Sequence, residues 1–182
     1  MKNRLLIIGA VLLVAVCSIC CNCKWYETQE QLQQLFDASD VVFVGLPIRD
    51  INPAQRRNQN LLGYDALFKV ISQQKGIITY DTVLILQDDS NCARLFRPAD
   101  TIIVFGRHIK RLSHKRRTKE YSKEYSLFDY ESSVFQVGSL DKNFQLYKRL
   151  HKHYAGVHTS GCVSFPIQYR PSIAAFLRAK RQ

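Results

Sequence analysis

The sequence predicts a small β-barrel with a few flanking helices. Short runs of β-branched and aromatic residues recur at close spacing, which is typical of strands. Turn-forming residues separate each pair of runs, and a few amphipathic helical patterns lie outside them. The 182 residues, with 46% hydrophobic and 11% aromatic side chains, are enough for a leader and the core of one domain.

Four strands are expected over residues 40–48, 64–72, 81–87 and 101–106. The first contains an unbroken apolar run at 41–44, which predicts burial on both faces, as in a barrel wall covered by a helix. Pro47 indicates a strand edge or end, because proline cannot donate to a ladder. A short extended piece is expected over 162–167.

Three helices are expected over residues 28–36, 139–154 and 171–180. The first begins at Thr28, which can form a capping box with Gln31. The others are supported by apolar stripes, with Pro171 in the first turn of the last helix. The stripe residues of the three helices are Leu32, Leu35, Phe36, Leu140, Phe144, Tyr147, Leu150, Ile173, Phe176 and Leu177.

The first twenty residues have the layout of a secretory leader. Lys2 and Arg4 precede an apolar run over 5–16, which is shorter than the ~20 residues of a spanning helix. We interpret 1–20 as a signal peptide and 21–182 as one domain that is secreted, extracellular or in the cell envelope. Two cleavage sites have small residues at positions −3 and −1. Cleavage before Cys21 would follow Ser18 and Cys20, and cleavage before Ser18 would follow Ala15 and Cys17. A retained N-terminal anchor and a lipid-anchored cysteine are the alternatives.

Four cysteines follow the leader: Cys21, Cys23, Cys92 and Cys162. An even number in an exported chain predicts two disulfides. A bond between Cys21 and Cys23 would be strained, so each is expected to pair with Cys92 or Cys162. A reduced metal site is disfavoured, because the spacing is wide and no Cys-x-x-Cys occurs.

A set of short segments follows in a characteristic order along the chain. They are Cys21-Asn22-Cys23, Ala38 to Gly45, Phe68-Lys69-Val70 with Lys75-Gly76, Asn91-Cys92, Asp100 to Gly106 and Thr159-Ser160-Gly161-Cys162. Together they resemble the netrin-like domains, a superfamily that includes the tissue inhibitors of metalloproteinases. The resemblance covers residues 21–167, apart from a basic insertion near 107–131.

The resemblance implies a five-stranded OB-type barrel with Cys21–Cys92 and Cys23–Cys162 disulfides. It departs from the inhibitors at Asp37, which stands where the first cysteine of a third disulfide would be. No second cysteine-rich subdomain follows.

The resemblance also implies a mechanism for the Cys21-Asn22-Cys23 segment. If Cys21 is the mature N-terminus, its amine and carbonyl would chelate the zinc of a metalloprotease, and Asn22 would enter the adjacent pocket. An α-amino group has a pKa of about 7.7–8.0, so a good fraction is neutral and can donate a lone pair. The alternative is that Cys21 and Cys23 only tether the chain start to the barrel.

Residues 107–119 carry seven basic residues and no acidic one, and are expected to form a solvated hairpin or loop. The net charge is +11, or +9 without Lys2 and Arg4. This favours a polyanion or matrix partner, with solvated charge as the alternative. Nucleic acid is not expected for an exported chain, and membrane contact only if the leader is retained or lipidated. The candidate contacts are Lys110, Arg111, Lys115, Arg116, Arg117 and Lys119.

No catalytic pattern accompanies the five histidines. HExxH, Gly-x-Ser-x-Gly and paired-carboxylate arrangements do not occur, and Asp88-Asp89 is typical of a turn. We therefore expect a non-enzyme without a cofactor. It is either a metalloprotease inhibitor of the netrin-like type or an extracellular interaction module.

Overall fold

The computed structural model describes Tyr26 and residues 28–51, 61–87, 93–114, 134–137, 144–159 and 161–180. Within these ranges it contains three α-helices, eight strands and one 3₁₀ turn at Ile167–Tyr169. In chain order the elements are α1 (Gln29–Ala38), β1 (Val41–Asp50), β2 (Ala66–Lys75), β3 (Thr82–Gln87), β4 (Ile102–Ile109), β5 (Arg111–His114), β6 (Val134–Val137), α2 (Phe144–His153), β7 (Ala155–Thr159), β8 (Ser164–Pro166) and α3 (Pro171–Ala179).

Five strands close into a barrel in the order β1-β2-β3-β7-β4, with β4 pairing back to β1. The β3–β7 pair is parallel and the other pairs are antiparallel. β8 pairs with the first residues of β4, whereas β7 pairs with its last residues. β5 and β6 form a separate parallel pair. The predicted fold class is therefore confirmed as a mainly β protein with an OB-type five-stranded barrel and flanking helices.

The barrel interior is filled by a cluster to which every barrel strand contributes. Phe43, Phe68, Ile85 and Val104 are fully buried in it, as is Phe96 from the segment before β4. The Phe68 and Phe96 rings meet edge to face with centroids 4.8 Å apart, a favoured aromatic geometry.

Helices cover two parts of the barrel's outer face. Val42 and Val44 point away from the interior and pack under α1 and α3 in one cluster. Leu67, Leu84 and Leu86 pack under α2 in another. The run 41–44 is thus buried on both faces, as expected for a helix-covered barrel wall.

The first helix begins as its sequence predicts. The Thr28 hydroxyl accepts the Gln31 backbone N–H, and the Gln31 side chain accepts the Thr28 N–H, which completes the capping box. At the other end, Lys75 Nζ donates to the carbonyls of Phe36 and Asp37 at 2.7 and 2.9 Å. This contact ties the last turn of α1 to the end of β2.

The structure differs from the predicted elements in several places. β4 continues to Ile109, so the first part of the basic stretch at 107–119 is barrel wall, and 111–114 is also strand. β2 begins at Ala66 and runs to Lys75, three residues past its predicted end. β7 was not predicted, although it closes the barrel. Residues 115–133 and 138–143 lie outside the described ranges, and so does the part of the predicted basic insertion (107–131) that follows His114.

Candidate functional site

Cys162 is disulfide-bonded and lies in the turn between β7 and β8. It packs against the cluster formed by Val163, Phe165 and the buried faces of α1 and α3. The other five cysteines, with Asn22, lie outside the described residues, so the partner of Cys162 does too. The predicted pairings of Cys21, Cys23 and Cys92 therefore stay predictions.

Tyr26, three residues after Cys23, is buried in the same cluster as Val163, with 6% of its surface exposed. Burial raises the pKa of its phenol above the ordinary value. The beginning of the described chain is thus packed into the core beside the turn that holds Cys162.

Arg94, two residues after Cys92, is held against the same turn. Its Nη1 donates to the carbonyl of Ser164 at 3.2 Å, and its backbone N–H donates to the side chain of Gln87 at the end of β3. The pKa of the Arg94 guanidinium is lowered, mainly because the group is half-buried. The positive charge of Arg170 lowers it further, and the negative charge of Asp100 opposes both effects. The segments that follow Cys23, Cys92 and Cys162 therefore meet on one side of the barrel.

Of the predicted polyanion contacts, Lys110 and Arg111 are exposed at the junction of β4 and β5. Lys115, Arg116, Arg117 and Lys119 lie outside the described residues. Of the predicted basic surface, the structure therefore places only Lys110 and Arg111.

Three basic residues of α2 extend that surface, although none of them was among the predicted polyanion contacts. Lys148, Arg149 and Lys152 are exposed, whereas Tyr147 and Leu150 on the opposite side are buried. α2 contacts both β5 and β7, which places it beside Lys110 and Arg111. The spacing of Lys148 and Lys152, one turn apart, was the available signal.

A cleft of about 200 Å³ opens beside this basic surface. It lies where the end of β4, the end of α2 and the start of β7 meet the β2–β3 turn. Its lining residues are Tyr80, His108, Ile109, His151, Lys152, Tyr154, Ala155 and Gly156.

Gly156 has no side chain, which leaves space for the His151 ring in the cleft. A Cβ there would lie 2.7 Å from His151 Cδ2, too close for ordinary contact. His151 Nε2 lies 2.8 Å from the carbonyl of Ile109, and only a protonated Nε2 can donate to that oxygen. The contact with Ile109 therefore requires a proton on Nε2, and Gly156 leaves the space that the ring occupies.

This end of the barrel is positive among the described residues. Its charged residues include the basic Lys110, Arg111, Lys148, Arg149 and Lys152 and the acidic Asp40 and Asp81. One oxygen of Asp40 accepts the His108 backbone N–H at 3.1 Å, so it is partly engaged by the chain. A surface with this balance of charge attracts anionic partners.

The outer face of β2 and β3 is the surface on which OB barrels bind oligonucleotides. Here α2 covers it, with Tyr147 and Leu150 packed on Leu67, Leu84 and Leu86. A ligand that approaches this barrel therefore meets the outer, basic side of α2 instead of the strands.

No family model, curated protein or solved structure matches this chain. Within the described ranges no helix is both long and apolar enough to span a bilayer. Nor do three or more histidine, cysteine or acidic side chains of these residues gather in a metal-binding arrangement.

Proposed function

We propose that this protein is an exported, non-enzymatic binding domain of the netrin-like type, whose N-terminal Cys21-Asn22-Cys23 segment inhibits a zinc metalloproteinase. The convergence of the segments that follow Cys23, Cys92 and Cys162 supports the proposal most directly. Two disulfides at this point would hold the start of the mature chain rigid, which lowers the ordering cost of binding.

The position of Tyr26 adds a second argument. Three residues of extended chain reach roughly 11 Å at most, so Cys23 must lie within that distance of the Tyr26 Cα. Tyr26 and Cys162 pack on the same cluster, which is consistent with a Cys23–Cys162 bond. The OB-type barrel is the fold that the resemblance implies.

In the proposed mechanism the free amine and carbonyl of Cys21 ligate the protease zinc at its open position. Asn22 occupies the pocket next to the metal. The barrel contributes rigidity and holds this segment outward, while no residue of the chain carries out a chemical step.

The test compares two forms of the secreted protein against a panel of zinc metalloproteinases with a fluorogenic peptide substrate. One form begins at Cys21, and the matched control carries one additional Ala before it. We expect inhibition by the first and at least a hundredfold weaker inhibition by the second, because acylation removes the amine lone pair. Equal inhibition by both forms, or none by either, would refute the chelate mechanism.

We propose polyanion binding as a second candidate function, because exposed basic residues gather at one end of the barrel. Lys110 and Arg111 lie there with the basic side of α2, and the sequence continues into Lys115, Arg116, Arg117 and Lys119. Replacing Arg116 and Arg117 by Ser should lower the salt concentration at which the protein leaves a heparin column. An unchanged elution salt would argue against the loop as the contact.

A further inference from the structure

Two of the most exposed large apolar side chains lie on the turn between β2 and β3. Ile77 has 77% of its surface exposed and Tyr80 has 52%. Tyr80 also lines the cleft that contains His108 and Lys152, so this apolar tip borders the basic end of the barrel. Single exposed apolar residues are ordinary, but an aliphatic and an aromatic residue on one turn beside a basic surface call for an explanation.

The tip itself is held firmly. Gly76 begins the turn with φ +77°, and the Gln73 side chain bonds to both Gly76 and Ile78 within the turn. Ile78 is partly buried against the barrel interior, while Ile77 points outward. The chain therefore presents Ile77 to solvent on an ordered turn.

We propose that this end of the barrel docks on an anionic phospholipid surface, a membrane contact of the folded domain that the sequence did not predict and that needs no retained or lipidated leader. Ile77 and Tyr80 enter the headgroup region. The exposed basic residues around them contact lipid phosphates, namely Lys110, Arg111, Lys148, Arg149 and Lys152. The cleft beside Tyr80 is large enough for one headgroup phosphate, with Lys152 at its rim. Apolar tips that insert beside basic residues that attract anionic headgroups are the general basis of peripheral membrane binding.

The apolar tip distinguishes this partner from other polyanions. A sulfated glycan or a nucleic acid would engage the basic side chains but gains nothing from an exposed isoleucine. Bases also find no strand platform, because α2 covers the outer face of β2 and β3. The inference rests on the second candidate function, polyanion binding, and is independent of protease inhibition.

The experiment measures co-sedimentation of the naturally processed protein with vesicles of phosphatidylcholine containing about 30% phosphatidylserine, and with pure phosphatidylcholine as blank. Heparin and single-stranded DNA are titrated at the same ionic strength. The apolar variant is Ile77→Ser with Tyr80→Ser, and the charge variant is Lys148→Gln, Arg149→Gln and Lys152→Gln.

Each variant has a matched control elsewhere on the molecule. Ile48→Ser removes an isoleucine that is 51% exposed near the end of β1, whereas the β2–β3 turn contacts the start of β1 at Asp40. Arg97→Gln, Arg178→Gln and Lys180→Gln remove three exposed charges, one in the segment before β4, one on α3 and one at the C-cap of α3.

We expect the apolar variant to bind the anionic vesicles about tenfold more weakly, with unchanged heparin binding, because only lipid accepts the apolar tip. The charge variant should lose about tenfold or more in both assays, and the controls less than twofold. Vesicle binding that survives in the apolar variant would overturn the inference. Binding to heparin or DNA but not to vesicles would also overturn it and leave the second candidate function standing. Absence of binding to all three would overturn both.

Discussion

Gly76 determines how the β2–β3 turn joins the start of β1. Its φ of +77° lies in the left-handed region, and a Cβ at this position would collide with the Asp40 carbonyl. Asp40 in turn precedes β1 and binds β4, with its N–H donating to Gly106 and its carboxylate accepting from His108. One residue without a side chain thus allows three strands to meet closely.

Replacing Gly76 by Ala should lower the free energy of unfolding by about 2–4 kcal/mol, from left-handed strain and the clash with backbone. Gly76→Asn separates the two causes, since asparagine tolerates the left-handed region but carries the same Cβ. Urea denaturation measures both. We expect both variants to be destabilised, and an Asn variant as stable as the wild type would show that the clash does not exist.

Tyr26 provides a pH-dependent test of its burial. Because burial raises the phenol pKa in the folded state, the unfolded chain ionises first as pH rises past about 10. The stability contribution of this group is therefore complete below that pH, and it falls as pH rises toward the folded pKa. Tyr26→Phe should lose less unfolding free energy between pH 9 and about 11 than the wild type.

The control for that comparison is Tyr64→Phe, because Tyr64 is 38% exposed. This variant keeps Tyr26, so the alkaline loss of stability that Tyr26 causes should remain. Equal slopes for the Tyr26 and Tyr64 variants would show that Tyr26 is not buried in solution.

At the scale of elements, α2 is attached to the barrel by a polar contact as well as by its apolar side. The Tyr147 hydroxyl donates to Asp65 Oδ2 at 2.9 Å, while Asp65 Oδ1 accepts the Gln87 backbone N–H. Asp65 lies just before β2 and Gln87 ends β3. This network fixes α2 over the strand face that it covers.

Tyr147→Phe should therefore cost about 1–2 kcal/mol, since a part-buried carboxylate loses a donor. Thermal or urea unfolding measures the loss. The control is Tyr154→Phe, which removes a tyrosine hydroxyl just after the end of the same helix. A Tyr147→Phe protein with unchanged stability would mean that the hydroxyl bond contributes nothing net.

The elements that the sequence predicted are those whose signals are local. The capping box of α1 needs only Thr28 and Gln31, and apolar runs in the sequence predict four of the barrel strands. β7 was missed because Ala155 and Gly156 have weak strand preference, and a side chain at position 156 would crowd the His151 ring. The cleft was missed because its walls come from three stretches of chain, around residues 80, 108–109 and 151–156, that only the folded barrel brings together.

At the scale of the whole molecule, the two ends of the barrel differ in composition. The side at the β7–β8 turn gathers Tyr26, Arg94 and the disulfide-bonded Cys162. The end at the β2–β3 turn gathers the basic residues, the cleft and the apolar tip. β4 links them, because it pairs with β8 at its start and with β7 at its end. The two proposed functions would therefore act at different ends of the barrel.

The disulfides are the remaining constraint on the whole chain, and a double-mutant cycle tests their predicted pairing. Cys162→Ala should cost about 3–5 kcal/mol, because the bond closes a loop of more than a hundred residues if its partner is Cys23. Cys23→Ala should then cost a similar amount, and the double variant should lose no more than either single one, since both remove the same bond.

The control is Cys92→Ala with Cys162→Ala, where two different bonds are broken and the losses should be closer to additive. Urea unfolding without reductant measures all of these. Additive losses for the Cys23 and Cys162 pair would show that the two cysteines belong to different disulfides, and the rigid chain start on which the proposed zinc chelate depends would need another anchor.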